Sequence, residues 1–205
     1  MLSTITGLLL STLLGLSPVP QDAPSFQAAP SAQVDDTKDL NHARLVSMIG
    51  PKLEKADGST VETASYLSGK KHVVRYFSAG WCPPCRMFTP DLVKFTDANK
   101  TAEDFAVILV GGDRSTVAQR DYMKKYKMNF PAVPLDRAGG LKRTYGGSGI
   151  PNLVVLNGKD RVVRGSYETN GKYTPKIRAS YIGPQPVLKA FQSMRAPADE
   201  SSDKK

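Results

Sequence analysis

Two cysteines separated by two residues constrain this chain more than any other feature. Cys82 and Cys85 are the only cysteines among 205 residues, and the preceding Trp81 is the only tryptophan. An apolar run at residues 73–77 leads into the pair, and a helical pattern at residues 87–95 follows it. This order predicts that a buried strand positions both thiols on the first turn of a helix. Such an arrangement is suited to thiol–disulfide exchange.

The spacing also predicts different roles for the two sulfurs. Cys82 is expected at the helix N-terminus, where free backbone N–H groups and the helix dipole favour an anion. Its pKa should then fall from ~8.5 to about 3.5–7.5. Cys85 should lie one turn further in, less exposed and less acidic, so that Cys82 attacks a substrate disulfide and Cys85 resolves the mixed disulfide. Pro83 and Pro84 suit a first helical turn, which does not use their missing N–H groups, and Arg86 adds a positive charge nearby.

Two other uses of the cysteine pair fit the sequence less well. A structural disulfide that closes so small a loop would add little stability. Zinc usually takes four Cys or His ligands, and this chain adds only His42 and His72, neither at a zinc-finger spacing from Cys85. We therefore predict no metal site and no organic cofactor, with the Cys82–Cys85 disulfide itself as the redox group.

Length and charge set broader limits. A chain of 205 residues fits one domain with tails, and an apolar share of 40% is enough for a globular core. The net charge of +9 comes from scattered basic residues, with no run of five or six and no nucleic-acid motif. We interpret them as a solvated basic surface, with weak steering of acidic protein partners as the alternative, and predict no nucleic-acid partner.

The first 20 residues have the composition of an export signal. No charged side chain occurs before Asp22, and an apolar stretch at residues 5–16 ends before Pro18. Its length matches the apolar region of a signal peptide and is short for a membrane span. A signal peptide usually has Lys or Arg before its apolar region, and this chain has none there. An uncleaved anchor and a merely disordered end are therefore the alternatives. We predict export to the periplasm or secretion, with membrane contact only if the N-terminus stays uncleaved.

The remainder is predicted to contain a linker at residues 21–45, one domain at residues 46–195 and a disordered charged tail at residues 196–205. Local patterns predict the elements of the domain, although residues 166–182 give no clear prediction. The elements are a short helix at 40–49, a hairpin around Asp57-Gly58, strands at 73–77 and 105–110, a helix capped by Thr116 that runs to about residue 126, an extended segment at 130–134, a short helix at 141–145, a strand within 149–157 that turns at Asn157-Gly158, and an amphipathic helix from Pro184.

This order of elements resembles the thioredoxin fold. The resemblance is carried by residues 76–86, whose sequence is Tyr-Phe-Ser-Ala-Gly-Trp-Cys-Pro-Pro-Cys-Arg, and by the later run from Gly149 to Leu156 that contains Ile150-Pro151. It covers residues 50–195 and is closest to the tryparedoxin and nucleoredoxin branch. It implies an α/β thioredoxin-like fold with a central mixed β-sheet flanked by helices. It also implies a protein thiol–disulfide oxidoreductase that receives electrons from a thiol protein, with reduction slightly favoured over oxidation. We predict that the protein is a monomer.

The resemblance assigns roles to residues other than the cysteines. It implies that the Ile150–Pro151 peptide bond is cis, lies against Cys82 and offers the Ile150 backbone to a substrate chain as a β-strand would; a plain strand-start proline is the alternative. Trp81 is expected to shield the sulfurs and to contact partners; simple packing is the alternative. Thioredoxin has a buried acid where this chain has Tyr76, which either assists Cys85 or is a core aromatic, and we favour the core role. A peroxidase and a non-catalytic binding or chaperone module are the rival functions for this fold.

Overall fold

The computed structural model of the chain describes residues 42–195. The predicted signal peptide or anchor, most of the predicted linker and the predicted charged tail lie outside these residues. Within residues 42–195, no helix has both the length and the apolar character needed to cross a membrane.

The domain alternates short helices and strands around one central sheet. In chain order the elements are α1 (Ala43–Ile49), β1 (Lys52–Glu54), β2 (Thr60–Glu62), α2 (Thr63–Leu67), β3 (His72–Ser78), α3 (Pro83–Ala98), β4 (Phe105–Gly111), α4 (Thr116–Lys125), α5 (Leu135–Tyr145), β5 (Asn152–Asn157), β6 (Val162–Gly165), β7 (Glu168–Thr169), β8 (Lys172–Tyr173), a 3-10 turn (Arg178–Ser180) and α6 (Pro184–Arg195).

Four strands form the central sheet in the order β4-β3-β5-β6. β3 and β4 are parallel, whereas β5 is antiparallel to both β3 and β6. Side chains that alternate along β3 enter two separate apolar clusters: Val74 and Tyr76 join α3, α4 and α6, while Val73 and Phe77 join α1, α2 and α5. Both faces are therefore covered by helices, which explains why β4 is apolar along almost its whole length and why the middle of β3 is apolar except at Arg75. The prediction of an α/β fold with a mixed sheet flanked by helices is confirmed.

α4 and α5 begin at residues other than those predicted. Ser115, rather than Thr116, caps α4, and its hydroxyl oxygen accepts a hydrogen bond from the Ala118 N–H at 3.1 Å. α5 begins at Leu135 instead of residue 141 and includes the Gly139-Gly140 pair. Glycine disfavours a helix locally, but the burial of Ala138, Leu141 and Tyr145 outweighs that preference.

The segment at residues 166–182, for which the sequence gives no prediction, is ordered by its own backbone pairing. β7 and β8 form a small hairpin within it. At its ends, Tyr167 and Tyr181 form an antiparallel bridge, and the Ile182 N–H donates to the Ser166 carbonyl at 2.9 Å. The segment is therefore closed on itself, and it lies beside the loop that precedes β5.

His42 fastens the first helix to the rest of the domain. The helix predicted at residues 40–49 is present as α1; it begins at Ala43, so it overlaps the end of the predicted linker, and His42 is buried just before it. The His42 Nδ1 lies 2.6 Å from a carboxylate oxygen of Asp160, and Nε2 lies 2.8 Å from the Lys70 carbonyl. The other Asp160 oxygen accepts from the Leu45 N–H at 3.2 Å. Because both ring nitrogens face acceptors, only the imidazolium form donates to both.

This arrangement predicts a pH-dependent stability. Burial alone lowers the pKa of His42, but the hydrogen bonds to Asp160 and Lys70 and the attraction of the Asp160 charge outweigh burial, so the pKa is raised above 6.5. The stabilisation from His42 should therefore be complete below pH 6.5 and be lost as the pH rises through the folded-state pKa. Urea unfolding between pH 5.5 and 8.5 measures the effect as the difference in unfolding free energy between wild type and His42→Gln. His72 is present in both proteins, so its contribution cancels. A difference that does not shrink as the pH rises would contradict this assignment.

Candidate active site

The cysteine pair lies where β3 passes into α3. Cys82 is the N-cap of α3 and Cys85 lies in its first turn; the two form a disulfide, with Cα atoms 5.2 Å apart. The Cys85 backbone N–H points to the Cys82 Sγ at 3.3 Å. Pro83 and Pro84 are exposed and occupy the first two helical positions, where no N–H is required. The structure thus places these four residues where the sequence predicts them.

The two cysteines differ in their access to solvent. Cys82 is 3% exposed and Cys85 is fully buried. The half-buried side chain of Ile150 packs against the small cluster that Ala79, Cys82 and Cys85 form. A partner disulfide therefore reaches Cys82 and not Cys85, which is the order of attack that the spacing predicts.

The Ile150–Pro151 bond is cis, and it lies against the cysteine pair. The Ile150 carbonyl oxygen is 3.7 Å from the Cys82 Sγ, although the two residues are 68 positions apart in sequence. Pro151 is buried immediately before β5, so its missing N–H leaves no gap in the central ladder. The sheet therefore brings the two motifs of the resemblance into one site.

Trp81 stands beside the disulfide and remains largely open to solvent. Its side chain is 59% exposed, and its Nε1–H donates to the Gly112 carbonyl at 3.0 Å. A cleft of about 540 Å³ lies between Trp81 and α4. The charged residues that line the cleft are Arg86, Asp113, Arg114, Asp121 and Lys125. The Arg86 side chain is exposed and makes no hydrogen bond or ion pair within residues 42–195, so its charge is free to face a partner.

Asp113 holds the loop before Cys82, a role that the sequence analysis missed. Its Oδ1 accepts from the Gly80 N–H at 2.9 Å. Burial raises the pKa of the Asp113 carboxyl, while the Gly80 hydrogen bond and Lys142 oppose that shift. A Cβ at Gly80 would lie 3.0 Å from the Tyr122 Cβ, so the loop needs glycine for its close approach to α4. Asp113 follows β4, and the carboxyl ends of the parallel strands β3 and β4 meet at one edge, which is the signal that would have found it.

A chain of buried hydroxyl groups lies beneath Cys85. The Tyr76 and Thr89 hydroxyls both donate to the Cys85 carbonyl, at 3.1 and 2.8 Å, and they are 2.9 Å from each other. The Tyr122 hydroxyl is 2.5 Å from Thr89 Oγ1 and 2.8 Å from Ser78 Oγ. Burial raises the pKa of Tyr76 far above its usual range, so its phenol stays neutral. Since its hydroxyl bonds a carbonyl rather than a sulfur, the geometry favours the core role for Tyr76.

We expect Tyr76→Phe to lower stability and to leave disulfide exchange intact. The variant removes the hydroxyl that bonds both the Cys85 carbonyl and Thr89 Oγ1, and each such buried hydrogen bond is worth about 0.5–1.5 kcal/mol of unfolding free energy. Urea unfolding measures the loss, and the rate of insulin reduction measures the activity. Thr89→Val is the matched comparison, because Thr89 serves the same carbonyl. An altered pH dependence of the rate in Tyr76→Phe alone would instead assign Tyr76 a part in proton transfer to Cys85.

No group of three or more His, Cys, Asp or Glu side chains in the described part of the chain is arranged to hold a metal ion. The redox group present in the structure is the disulfide itself.

Known proteins share both the sequence and the fold of this chain. The profile of the Redoxin family matches residues 20–180. Tryparedoxin of Trypanosoma brucei brucei is 37% identical over 99 residues, which are 47% of this chain and 67% of that protein. Nucleoredoxin of Bos taurus is 36% identical over 150 residues, which are 70% of this chain and 33% of that protein. The crystal structure of tryparedoxin I from Crithidia fasciculata superposes with a TM-score of 0.54 at 28% identity, covering 77% of this chain and 99% of that one.

Fold and site together define a thioredoxin-like thiol–disulfide oxidoreductase. The chain belongs to the Redoxin family, near the tryparedoxin and nucleoredoxin branch, as the resemblance implied. It spans about a third of the length of the nucleoredoxin that it matches.

Proposed function

We propose that the protein reduces disulfide bonds of other proteins, with Cys82 as the attacking thiolate and Cys85 as the resolving thiol. The observation that carries this proposal is the position of the Cys82 sulfur. It lies at the N-terminus of α3, 3.3 Å from the Cys85 N–H, and 3.7 Å from the Ile150 carbonyl. The first contact stabilises a thiolate. The second contact places the sulfur beside the Ile150 backbone, which is able to pair with a substrate chain.

The reaction consumes one dithiol and one disulfide. The Cys82 thiolate attacks one sulfur of the substrate disulfide, which breaks, and the departing substrate sulfur leaves as a thiolate that takes up a proton. Cys85 then attacks the Cys82 sulfur of the mixed disulfide and gives its proton to solvent; the bond to the substrate breaks, and the second substrate sulfur leaves as a thiolate that takes up a proton. The substrate leaves with two thiols, and the Cys82–Cys85 disulfide found in the structure is the oxidised product.

Substrate docking is supported by the surroundings of Cys82. The Ile150 carbonyl borders the sulfur and has no hydrogen-bond donor from the backbone of residues 42–195. A substrate strand beside it would bring its own backbone N–H to this oxygen. The exposed ring of Trp81 offers an apolar contact, and the exposed guanidinium of Arg86 offers a charged one.

Insulin reduction driven by dithiothreitol tests the activity. Wild type should accelerate the reduction, and Cys82→Ser should not exceed the uncatalysed background. Equal rates for the two proteins would favour the non-catalytic binding module. The reduction potential of the Cys82–Cys85 pair tests the direction of electron flow. A value of about −270 mV supports a reductase, whereas one of about −120 mV identifies an oxidant.

We further propose that another dithiol protein supplies the electrons, that neither a metal nor an organic cofactor takes part, and that the protein acts as an exported monomer. The uncharged apolar stretch near the N-terminus supports export. N-terminal sequencing of the mature protein from its host tests it, and intact Met1 on cytosolic protein would refute export.

A further inference from the structure

The loop that carries the cis bond is held by two tyrosine hydroxyls from the segment at residues 166–182. The Tyr167 hydroxyl donates to the Gly149 carbonyl at 3.2 Å, and the Tyr181 hydroxyl donates to the Pro151 carbonyl at 2.8 Å. These two carbonyls flank Ile150 in the chain. The carbonyl between them, that of Ile150, is the one that faces the Cys82 sulfur. Two tyrosines thus bind the neighbours of the group that borders the reactive thiol.

The two rings are themselves fixed. Their centroids are 4.9 Å apart, and the backbones of Tyr167 and Tyr181 pair directly. Tyr167 is buried and fills space that a side chain at position 147 would need, because a Cβ on Gly147 would lie 1.8 Å from the ring. Neighbouring Ser166 is tied to the strand that follows the loop, since its Oγ accepts from the Leu153 N–H at 2.8 Å. The hydroxyls therefore sit on a rigid support.

Tyr181 bonds the same loop as Tyr167, but it is more exposed to solvent than Tyr167 is. Tyr181 as a residue is 42% exposed, and exposed Ile177 and Ile182 lie in the same segment. Burial of its hydroxyl, together with nearby Tyr167, raises the pKa of Tyr181, so the hydroxyl remains protonated and able to donate at neutral pH. Removal of this hydroxyl changes one hydrogen bond to the loop and leaves the apolar packing of the ring in place.

We infer that Tyr181 and Tyr167 are positioning residues that hold the Ile150–Pro151 backbone in the orientation needed to pair with a polypeptide substrate. This inference rests on the proposed function, because it concerns docking of a substrate chain at that site. Neither hydroxyl touches the sulfurs, so the chemical steps at Cys82 and Cys85 do not depend on them. The tyrosines act on the affinity for an extended chain and not on sulfur chemistry.

The test compares a protein disulfide with a small one. For Tyr181→Phe we expect KM for insulin to rise about fivefold, the factor that corresponds to one lost hydrogen bond of ordinary strength. The rate of reduction of hydroxyethyl disulfide should not change, because that molecule has no backbone to pair with Ile150. Tyr167→Phe should act in the same direction, and the double variant should show a larger rise in KM for insulin.

Tyr66→Phe is the matched control. Its hydroxyl also donates to a backbone carbonyl, that of Val107 at 2.9 Å, but on α2 away from the cysteine pair. Its KM for insulin should equal that of wild type, whatever its effect on the unfolding midpoint. An unchanged KM in Tyr181→Phe, or equal losses for insulin and hydroxyethyl disulfide, would overturn the inference while wild type remains active. Wild type that fails to reduce insulin would overturn the proposed function and this inference with it.

Discussion

A Cys85→Ser variant should accumulate as a covalent adduct with its protein substrate, up to one adduct per chain. Cys82 remains at the N-terminus of α3 and still attacks the substrate disulfide. Because the resolving thiol is missing, the mixed disulfide on Cys82 persists unless an outside thiol such as dithiothreitol is added. Turnover of insulin should fall to background even though the first chemical step is intact. Non-reducing electrophoresis after alkylation of free thiols measures the adduct.

Cys82→Ser supplies the control for this experiment. That variant keeps one cysteine, but it is the buried Cys85, and it should form no adduct with insulin under the same conditions. Dithiothreitol should release the adduct of Cys85→Ser completely, since the bond is a disulfide. Equal amounts of adduct from both variants would show that the two sulfurs are equally accessible, and would refute the assignment of Cys82 as the attacking group.

Arg75→Met should make the protein more stable, by about 1–4 kcal/mol in the free energy of unfolding. Arg75 lies in the middle of β3 with no exposed surface, and none of its three side-chain nitrogens has a hydrogen-bond partner within residues 42–195. The guanidinium instead lies 3.5 Å from the centre of the Tyr145 ring. Burial lowers the pKa of Arg75 to about 10, although Tyr145 and Tyr173 oppose the shift. Methionine fills similar space without a charge that must leave water.

Two further measurements sharpen this expectation. Arg75→Ala should lose stability relative to Arg75→Met, because truncation in a packed core leaves a cavity that costs about 2–5 kcal/mol. In urea unfolding at neutral pH, Arg75→Met should therefore have a higher free energy of unfolding than wild type and than Arg75→Ala. A methionine variant less stable than wild type would show that the contact between the Arg75 cation and the Tyr145 ring outweighs the cost of burying the charge. Insulin reduction should be unchanged in the methionine variant, since position 75 faces away from the cysteine pair, on the α1, α2 and α5 side.

Much of the reactive centre follows from local sequence. The apolar run before Cys82 and the prolines after it predict a strand that ends at a helix N-terminus, and the structure has β3 and α3 there. Likewise, proline before β5 predicts a strand start. These features depend on backbone propensity and on side-chain periodicity within about ten residues. For that reason a single sequence is enough to predict them. The α5 boundary was missed because burial of Leu141 and Tyr145 is not a local property.

Only the tertiary structure decided which groups surround the cysteine pair. Asp113, which holds Gly80, and Tyr181, which holds Pro151, come from parts of the chain 33 and 30 residues away from their partners. Their contacts arise because strand pairing and helix packing bring remote backbone groups together, and each buried polar group then requires a partner wherever the fold supplies one. The sequence by itself determined the chemistry of the two sulfurs, since that depends on one helical turn. The orientation of the loop facing them was determined by hydrogen bonds across the fold, which no local pattern encodes.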